Sequence, residues 1–395
     1  MLAALDAQLA AARAESGRYP DSWGALERIA GLHLERAQLS GHYGDYASTE
    51  RALEQAEKLA GNSAAVCATA ARVAFALHRL AQARTALDDC EKRFGLPAET
   101  QLELRGLVAD IEFYSGRYEP ALATLRAALQ EQETIPSLTR LSRYHSKTGN
   151  TVEALALLDR AERLYFGDSA QLRAWLKLQR AIIYLETGRW EDALAHLLAA
   201  ERELRGWWLI DEHIAEVKAL LGDTEAARAI YRAVVERGGQ PEYLDALAQL
   251  ERERGDEPAA AALIAHAEAI YRERLARWPE AAAGHALDHF LQFGNPAEAL
   301  ALAQANVRNR PYGETRIQLA RACLKAARLQ EALRLIQQVL RTPWNTAELH
   351  ITAAGIHAAA GEHASAQAER RLALQMNPRA EQQYSLQNPG KQHAP

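Results

Sequence analysis

A glycine-centred string recurs along the chain, and its period limits the fold more tightly than any other feature of the sequence. Gly116, Gly149, Gly188, Gly222, Gly255, Gly294 and Gly361 each open one copy, typically followed a few residues later by Glu, Ala and Leu. The same register reaches Gly44, His78 and Ala327 as weaker equivalents, which gives ten anchors spaced 34, 38, 33, 39, 34, 33, 39, 33 and 34 residues apart. Apolar residues flank each anchor at three- and four-residue intervals, the period of an amphipathic helix, and strand-like alternation is absent. Glycine at the anchor supplies the left-handed backbone that ends a first helix, and Asn or Asp beside it caps a second. Each unit is therefore a helix pair. A linear array of pairs also accommodates 395 residues, more than the roughly 250–300 that one hydrophobic core supports.

Five residues after the anchor stand Ala83, Ala121, Ala154, Ala193, Ala227, Ala260, Ala299, Ala332 and Ala366, with Thr49 in the first unit. Seven before it stand Ala37, Ala71, Ala109, Ser142, Ala181, Ala215, Ala248, Ala320 and Ala354, with Leu287 the exception. Small residues let two helices approach closely, and larger ones nine after the anchor, such as Leu87, Leu125 and Leu158, fill the space beside them. In this register the chain resembles the tetratricopeptide repeat (TPR) family over residues 22–380. The resemblance implies an all-α, right-handed α-solenoid of about ten helix-turn-helix repeats. Residues 1–21 then read as a capping helix and linker, because an end unit would otherwise expose the apolar face that a neighbour covers elsewhere. Residues 381–395, rich in Gln, Asn and Pro, read as a disordered tail. Three intervals of 38 or 39 residues predict lengthened helices or loops and an irregular superhelix.

The net charge of -5 argues against a generalised polyanion-binding surface, so nucleic acid is not an expected partner. No stretch approaches the roughly 18 uninterrupted apolar residues of a membrane span, so no membrane insertion is expected. The start lacks the basic segment of a secretory signal and Asp6 interrupts any apolar run, which makes cytoplasm the default. A signal removed before the numbering begins would make the location periplasmic or exported instead. Phosphate-loop, nucleophile-elbow, dinucleotide and His-Glu-x-x-His motifs are absent, so neither catalytic residues nor a cofactor is expected. His285 and His289 share one helix face, as a metal pair requires, but read as ordinary groove or surface histidines, and no metal is expected. Cys67 and Cys90 stand about equally far from the second turn on opposing helices. They read as buried thiols serving as small core residues, with a disulfide as the alternative. Trp207 and Trp208 are adjacent and cannot both face one core, so one is expected to be exposed.

In the resembled family the first helix of each pair lines a concave groove. Transferring its inward positions gives Arg72, Phe75, Asp110, Phe113, Tyr114, Arg143 and Lys147, with Arg140 adjacent, followed by Trp175 and Leu178. Glu212, Glu216, Glu242, Asp245 and Asp288 continue the series, so the groove's charge changes sign along its length. Aromatic and arginine side chains suit peptide recognition through large rigid surfaces and paired hydrogen bonds to carboxylates. The resemblance implies a non-catalytic scaffold or adaptor that binds a peptide segment or protein in this groove. The alternative is a small-ligand sensor that relays binding to a partner, which an enclosed apolar pocket would favour. Homo-oligomerisation through the outer helices or the tryptophan pair is left open.

Overall fold

The computed structural model describes residues 2–384, apart from Asn62, Phe94, Gly238 and Gly239. Its described residues form helices throughout, beginning with α1 (Leu2–Arg18). Five antiparallel pairs follow: α2 (Trp23–Ser40) with α3 (Tyr43–Ala60), α4 (Ala64–Ala76) with α5 (Leu80–Cys90), α6 (Ala98–Tyr114) with α7 (Tyr118–Glu131), α8 (Ile135–Lys147) with α9 (Thr151–Leu164), and α10 (Ala170–Glu186) with α11 (Trp190–Glu203). Five more are α12 (Trp208–Leu220) with α13 (Thr224–Glu236), α14 (Pro241–Glu253) with α15 (Glu257–Arg277), α16 (Pro279–Gln292) with α17 (Pro296–Asn309), α18 (Gly313–Lys325) with α19 (Leu329–Leu340), and α20 (Ala347–Ala359) with α21 (His363–Met376). A short α22 (Ala380–Tyr384) ends the described chain. The architecture is an all-α solenoid.

Local chemistry explains the pairs. In eight turns the amide after the anchor donates to the carbonyl four residues before it, as in Arg117 to Glu112 at 2.9 Å and Asn150 to His145 at 2.8 Å. This closure requires a left-handed residue at the anchor. The demand outweighs side-chain preference at His78 and Ala327, which both take φ 59°. Two anchors differ from the sequence reading. The first turn is made by Gly41, φ 69°, and Gly44 lies inside α3, because α2 and α3 are each 18 residues long and their turn precedes the evenly spaced position. Gly294 does not take a positive φ; its turn closes by Gly294 N–H to the Phe290 carbonyl at 3.1 Å, and Asn295 caps α17.

The small-residue seam is the densest part of the core. Ala83, Ala121, Ala154, Ala193, Ala227, Ala260, Ala299 and Ala332 are all fully buried, as are Ala71, Ala215, Ala248 and Ala320 opposite them. Leu287 occupies the seam equally buried. Ala366, in the last pair, is only half-buried because no further pair packs on it. At the other end α1 lays Leu5, Leu9 and Ala12 against the array. The tail reading is corrected at its start: Glu381–Tyr384 continue α22, and Gln383 and Tyr384 are buried. Residues 385–395 lie outside the described residues. A second correction concerns Cys67 and Cys90, which form a disulfide, because α4 and α5 bring their Cα atoms within 5.6 Å.

The solenoid also closes on itself. The turn of one pair meets the loop leading into the helix pair six units later, so the second pass of the spiral rests on the first. Gln240 Nε2 donates to the carbonyls of Ser40 and Gly41, at 3.3 and 3.0 Å. Arg79 pairs with Glu280 at 3.4 Å. The Gly313 amide donates to Tyr118 Oη at 2.7 Å, and the Asn345 amide to the Lys147 carbonyl at 2.9 Å. Asn377 Nδ2 donates to the Glu186 carbonyl at 3.1 Å, and Arg379 pairs with Glu191 at 2.8 Å. Bulky rings pack into the same seam: Trp278 on Tyr43, and Tyr312 and Trp344 on Phe113.

Candidate functional site

Because the spiral closes, its concave side is a lumen. The larger of two chambers has a volume of about 720 Å³ and is walled by both passes: Tyr43 and Tyr46 from the first pair, Trp175 and Gln179 from α10, and residues of α12, α14, α15 and α16. Three successive first helices each turn an acidic edge toward it. Glu212 and Glu216 stand one helical turn apart on α12, Glu242 and Asp245 on α14, and Asp288 lies on α16 beside His285 and His289. His289 Nδ1 and Asp245 Oδ1 are 2.7 Å apart, and His285 Nδ1 lies 3.2 Å from Glu242. The histidines predicted as a bland pair therefore brace α16 against α14. Among the described residues no group of three or more His, Cys, Asp or Glu side chains is placed to hold a metal ion.

Burial sets the electrostatics of this chamber. It pushes the Asp245 carboxyl above its usual range, offset in part by the hydrogen bond from His289. Burial pushes Asp288 well above the carboxylate range, with Arg321 countering it. The same cause lowers His285, which Glu242 partly restores. The Tyr46 hydroxyl is raised to about 12, again by burial.

The second chamber, about 580 Å³, adjoins the first through Gln38, Ala76 and His78, which line both. Four arginines line it, Arg72, Arg140, Arg143 and Arg310, against four carboxyl groups, Glu27, Glu35, Glu103 and Asp110, so the change of sign expected from the sequence is corrected to a change from acidic to balanced. Arg72 holds Glu103 by two hydrogen bonds of 2.8 and 2.6 Å. Arg140 and Arg143 both pair with Asp110, which is 6% exposed, and Arg143 also lies 5.4 Å from the Tyr114 ring centroid. Phe75 packs on Tyr114 with centroids 5.7 Å apart. Lys147 lines a third recess, where it pairs with Glu186 at 2.6 Å.

No protein-family model and no curated protein matches the sequence. Among solved structures, the chain is similar to Naa15/Naa10 bound to HypK-THB, at 14% identity over 92% of this chain and 65% of that one, with a TM-score of 0.32. The chain thus spans less than two thirds of that structure's length. It is similar to the P58(IPK) TPR domain at 15% identity over 98% of this chain and 94% of that one, TM-score 0.31. It is also similar to a Rap protein complexed with competence and sporulation factor, at 14% identity over 81% of this chain and 98% of that one, TM-score 0.46. The left-handed turns and the buried alanine seam are features of this chain itself. On those features the chain is an all-α array of helix-turn-helix pairs whose repeat register resembles the TPR motif.

Against this array the groove positions inferred from sequence divide cleanly. Arg72, Phe75, Asp110, Tyr114, Arg140 and Arg143 meet in the charge-balanced chamber, and Trp175, Glu212 and Glu216 in the acidic one. Two are corrected. Phe113 is 4% exposed and sits in a ring cluster with Tyr118, Tyr144, Tyr312 and Trp344, because one helical step turns it away from its lumen neighbour Tyr114. Leu178 is fully buried among Ala174, Leu185 and Ile214, while Trp175 and Gln179 on the same helix take the lumen face. Neither tryptophan of the pair is exposed: Trp207 is buried, Trp208 half-buried, and both line the acidic chamber. Sequence reasoning missed Tyr43, Tyr46, Tyr271 and Arg274 as lining residues. No local pattern marks them, since they reach the lumen through closure of the spiral or from a second helix. Among the described residues no helix is long and apolar enough to cross a membrane.

Proposed function

We propose that this array is a non-catalytic binding scaffold that takes an extended peptide segment of a partner protein into its lumen. The reading is carried by the contiguity of an acidic chamber and a charge-balanced, arginine-bearing one, joined at Gln38, Ala76 and His78. A chain crossing that junction would place basic groups in the acidic chamber and uncharged groups beside the paired arginines of the other, which fixes its direction. Aromatic walls at both ends, Phe75 and Tyr114 in one and Trp175 and Trp208 in the other, supply rigid surfaces of the kind that dominate binding energy.

The small-ligand alternative draws support from one feature, the enclosure of the chambers by two passes. The carboxyl groups in the walls of the acidic chamber restrict such a ligand to a cationic one. Arg140 and Arg143 are poor probes of either reading, because both neutralise buried Asp110 and their loss would strain the fold. Trp175→Ala is a cleaner one, since Trp175 is half-buried at the chamber wall. Peptide-array capture followed by fluorescence titration should show binding to Trp175→Ala weakened roughly tenfold, with melting temperature little changed. Equal affinity for both chains would remove Trp175 and its chamber from the binding surface.

A further inference from the structure

The acidic chamber carries more chemistry than a general peptide groove needs. Six carboxylates line it, those of Glu212, Glu216, Glu242, Asp245, Glu253 and Asp288, against the single guanidinium of Arg274. Two acceptor atoms on its wall have no hydrogen-bond partner among the described residues: Asp288 Oδ1, and His289 Nε2 when the Nδ1–H donates to Asp245. His289 is 1% exposed, so its ring is sealed from bulk water, while Asp288 is half-buried. Buried polar atoms are nearly always satisfied, and two unpaired acceptors on residues lining one cavity of about 720 Å³ point to a donor ligand.

Arg274 shows which chemistry the wall accepts. Its guanidinium lies 4.4 Å from the Tyr43 ring centroid, within 3.9 Å of Glu242, and donates to Gln240. An aromatic face and a carboxylate thus already hold one organic cation in this chamber. Trp175, Trp208, Tyr46 and Tyr271 offer further ring faces, and Asp288 and Glu216 further carboxylates, around the same space. Ring faces attract cations through their quadrupole, most strongly when water is excluded.

We infer that this chamber is a binding site for an organic cation, an ammonium or guanidinium group carried on an aliphatic stem. The inference rests on the proposed function for one of its two sources, an arginine or lysine side chain of the captured peptide. The other source is a free polyamine. Cation binding releases the proton that burial holds on Asp288, whose carboxylate then accepts the cation's N–H groups, and the indole and tyrosine rings cover its stem.

The test is calorimetric titration of the full chain with three probes: an arginine-centred peptide selected by array capture, the same peptide with citrulline at that position, and spermidine. Citrulline keeps the shape of arginine and removes its charge. The arginine peptide should bind at least tenfold more tightly than the citrulline peptide, and spermidine should compete with it. Asp288→Asn should erase that difference, and Glu242→Gln serves as a second variant if the first is poorly folded. Spermidine binding without any peptide binding supports the cation site and overturns the peptide reading. Equal binding of the arginine and citrulline peptides, with no spermidine binding, overturns the cation site and leaves the peptide reading standing. No binding by any probe overturns both.

Discussion

The turn glycines carry two separate loads, and the residues around them distinguish which. Gly255, φ 82°, has open space where a Cβ would stand, so it is required for its left-handed backbone alone. Gly116, φ 73°, would place a Cβ 2.6 Å from the Pro311 carbonyl oxygen of the next pass. Gly255→Ala should therefore lower stability by about 1 kcal/mol, and Gly116→Ala by a further ~2 kcal/mol as the passes are forced apart. Chemical denaturation of the two variants measures the difference, and equal losses would mean that the passes do not touch there. Ala327 tests the same backbone from the other side. It is exposed at φ 59°, so Ala327→Gly should stabilise the chain by about 0.5 kcal/mol, the relief of strain less the added freedom of the unfolded glycine. Asp288 and Glu348 set a pH dependence. Burial raises both carboxyls, so the native state keeps their protons to higher pH than the unfolded chain does. Their contribution to stability is therefore greatest below about pH 4 and declines as pH rises through the raised values. Asp288→Asn should raise the melting temperature at neutral pH and flatten that decline, as a thermal series across pH would show.

At the scale of the element, the helix pair was legible because everything that defines it is local. The anchor, the seam residues five after and seven before it, and the caps lie within one unit, and they specify pairing without reference to distant chain. Where the local signal was diluted the reading slipped. Even spacing placed the first turn at Gly44, whereas the longer α2 and α3 place it at Gly41. The Cys67–Cys90 disulfide joins the two helices of one pair across 23 residues. A crosslink over a loop of this size contributes about 3 kcal/mol by restricting the unfolded chain. The double variant Cys67→Ala/Cys90→Ala should lose about that much stability and become insensitive to reductant, whereas the parent should fall to its level when reduced. Parent stability that ignores reductant would mean that the two thiols are unpaired in solution.

At the scale of the molecule, the decisive feature was not legible. How far each pair rotates on the last is a small quantity, and only its sum over six pairs brings Gln240 to Gly41, Asn345 to Lys147 and Asn377 to Glu186. The sequence reading therefore found the lumen-facing acids and arginines of the first helices, but not the tyrosines and Arg274 that complete the acidic chamber. It assigned Phe113 to the groove for the same reason, since the rings that bury it, Tyr312 and Trp344, arrive from the next pass. Closure also changes the energetics. An open array is stabilised only between neighbours, whereas here each early pair is additionally held by one about 190–200 residues later, as the separations of 188, 191, 195 and 201 residues show. The enclosed chamber depends on that contact. Its most direct test replaces the exposed ion pair between the passes with cysteines, as Glu191→Cys/Arg379→Cys, and follows crosslinking by a short bis-maleimide, because a pair joined through two long side chains does not meet the roughly 7 Å Cα spacing of a disulfide. A closed spiral predicts rapid crosslinking within single chains, read as a shift in non-reducing electrophoresis that is independent of protein concentration. Absence of the intramolecular crosslink, or crosslinking only between chains, would contradict closure and with it the enclosed chamber.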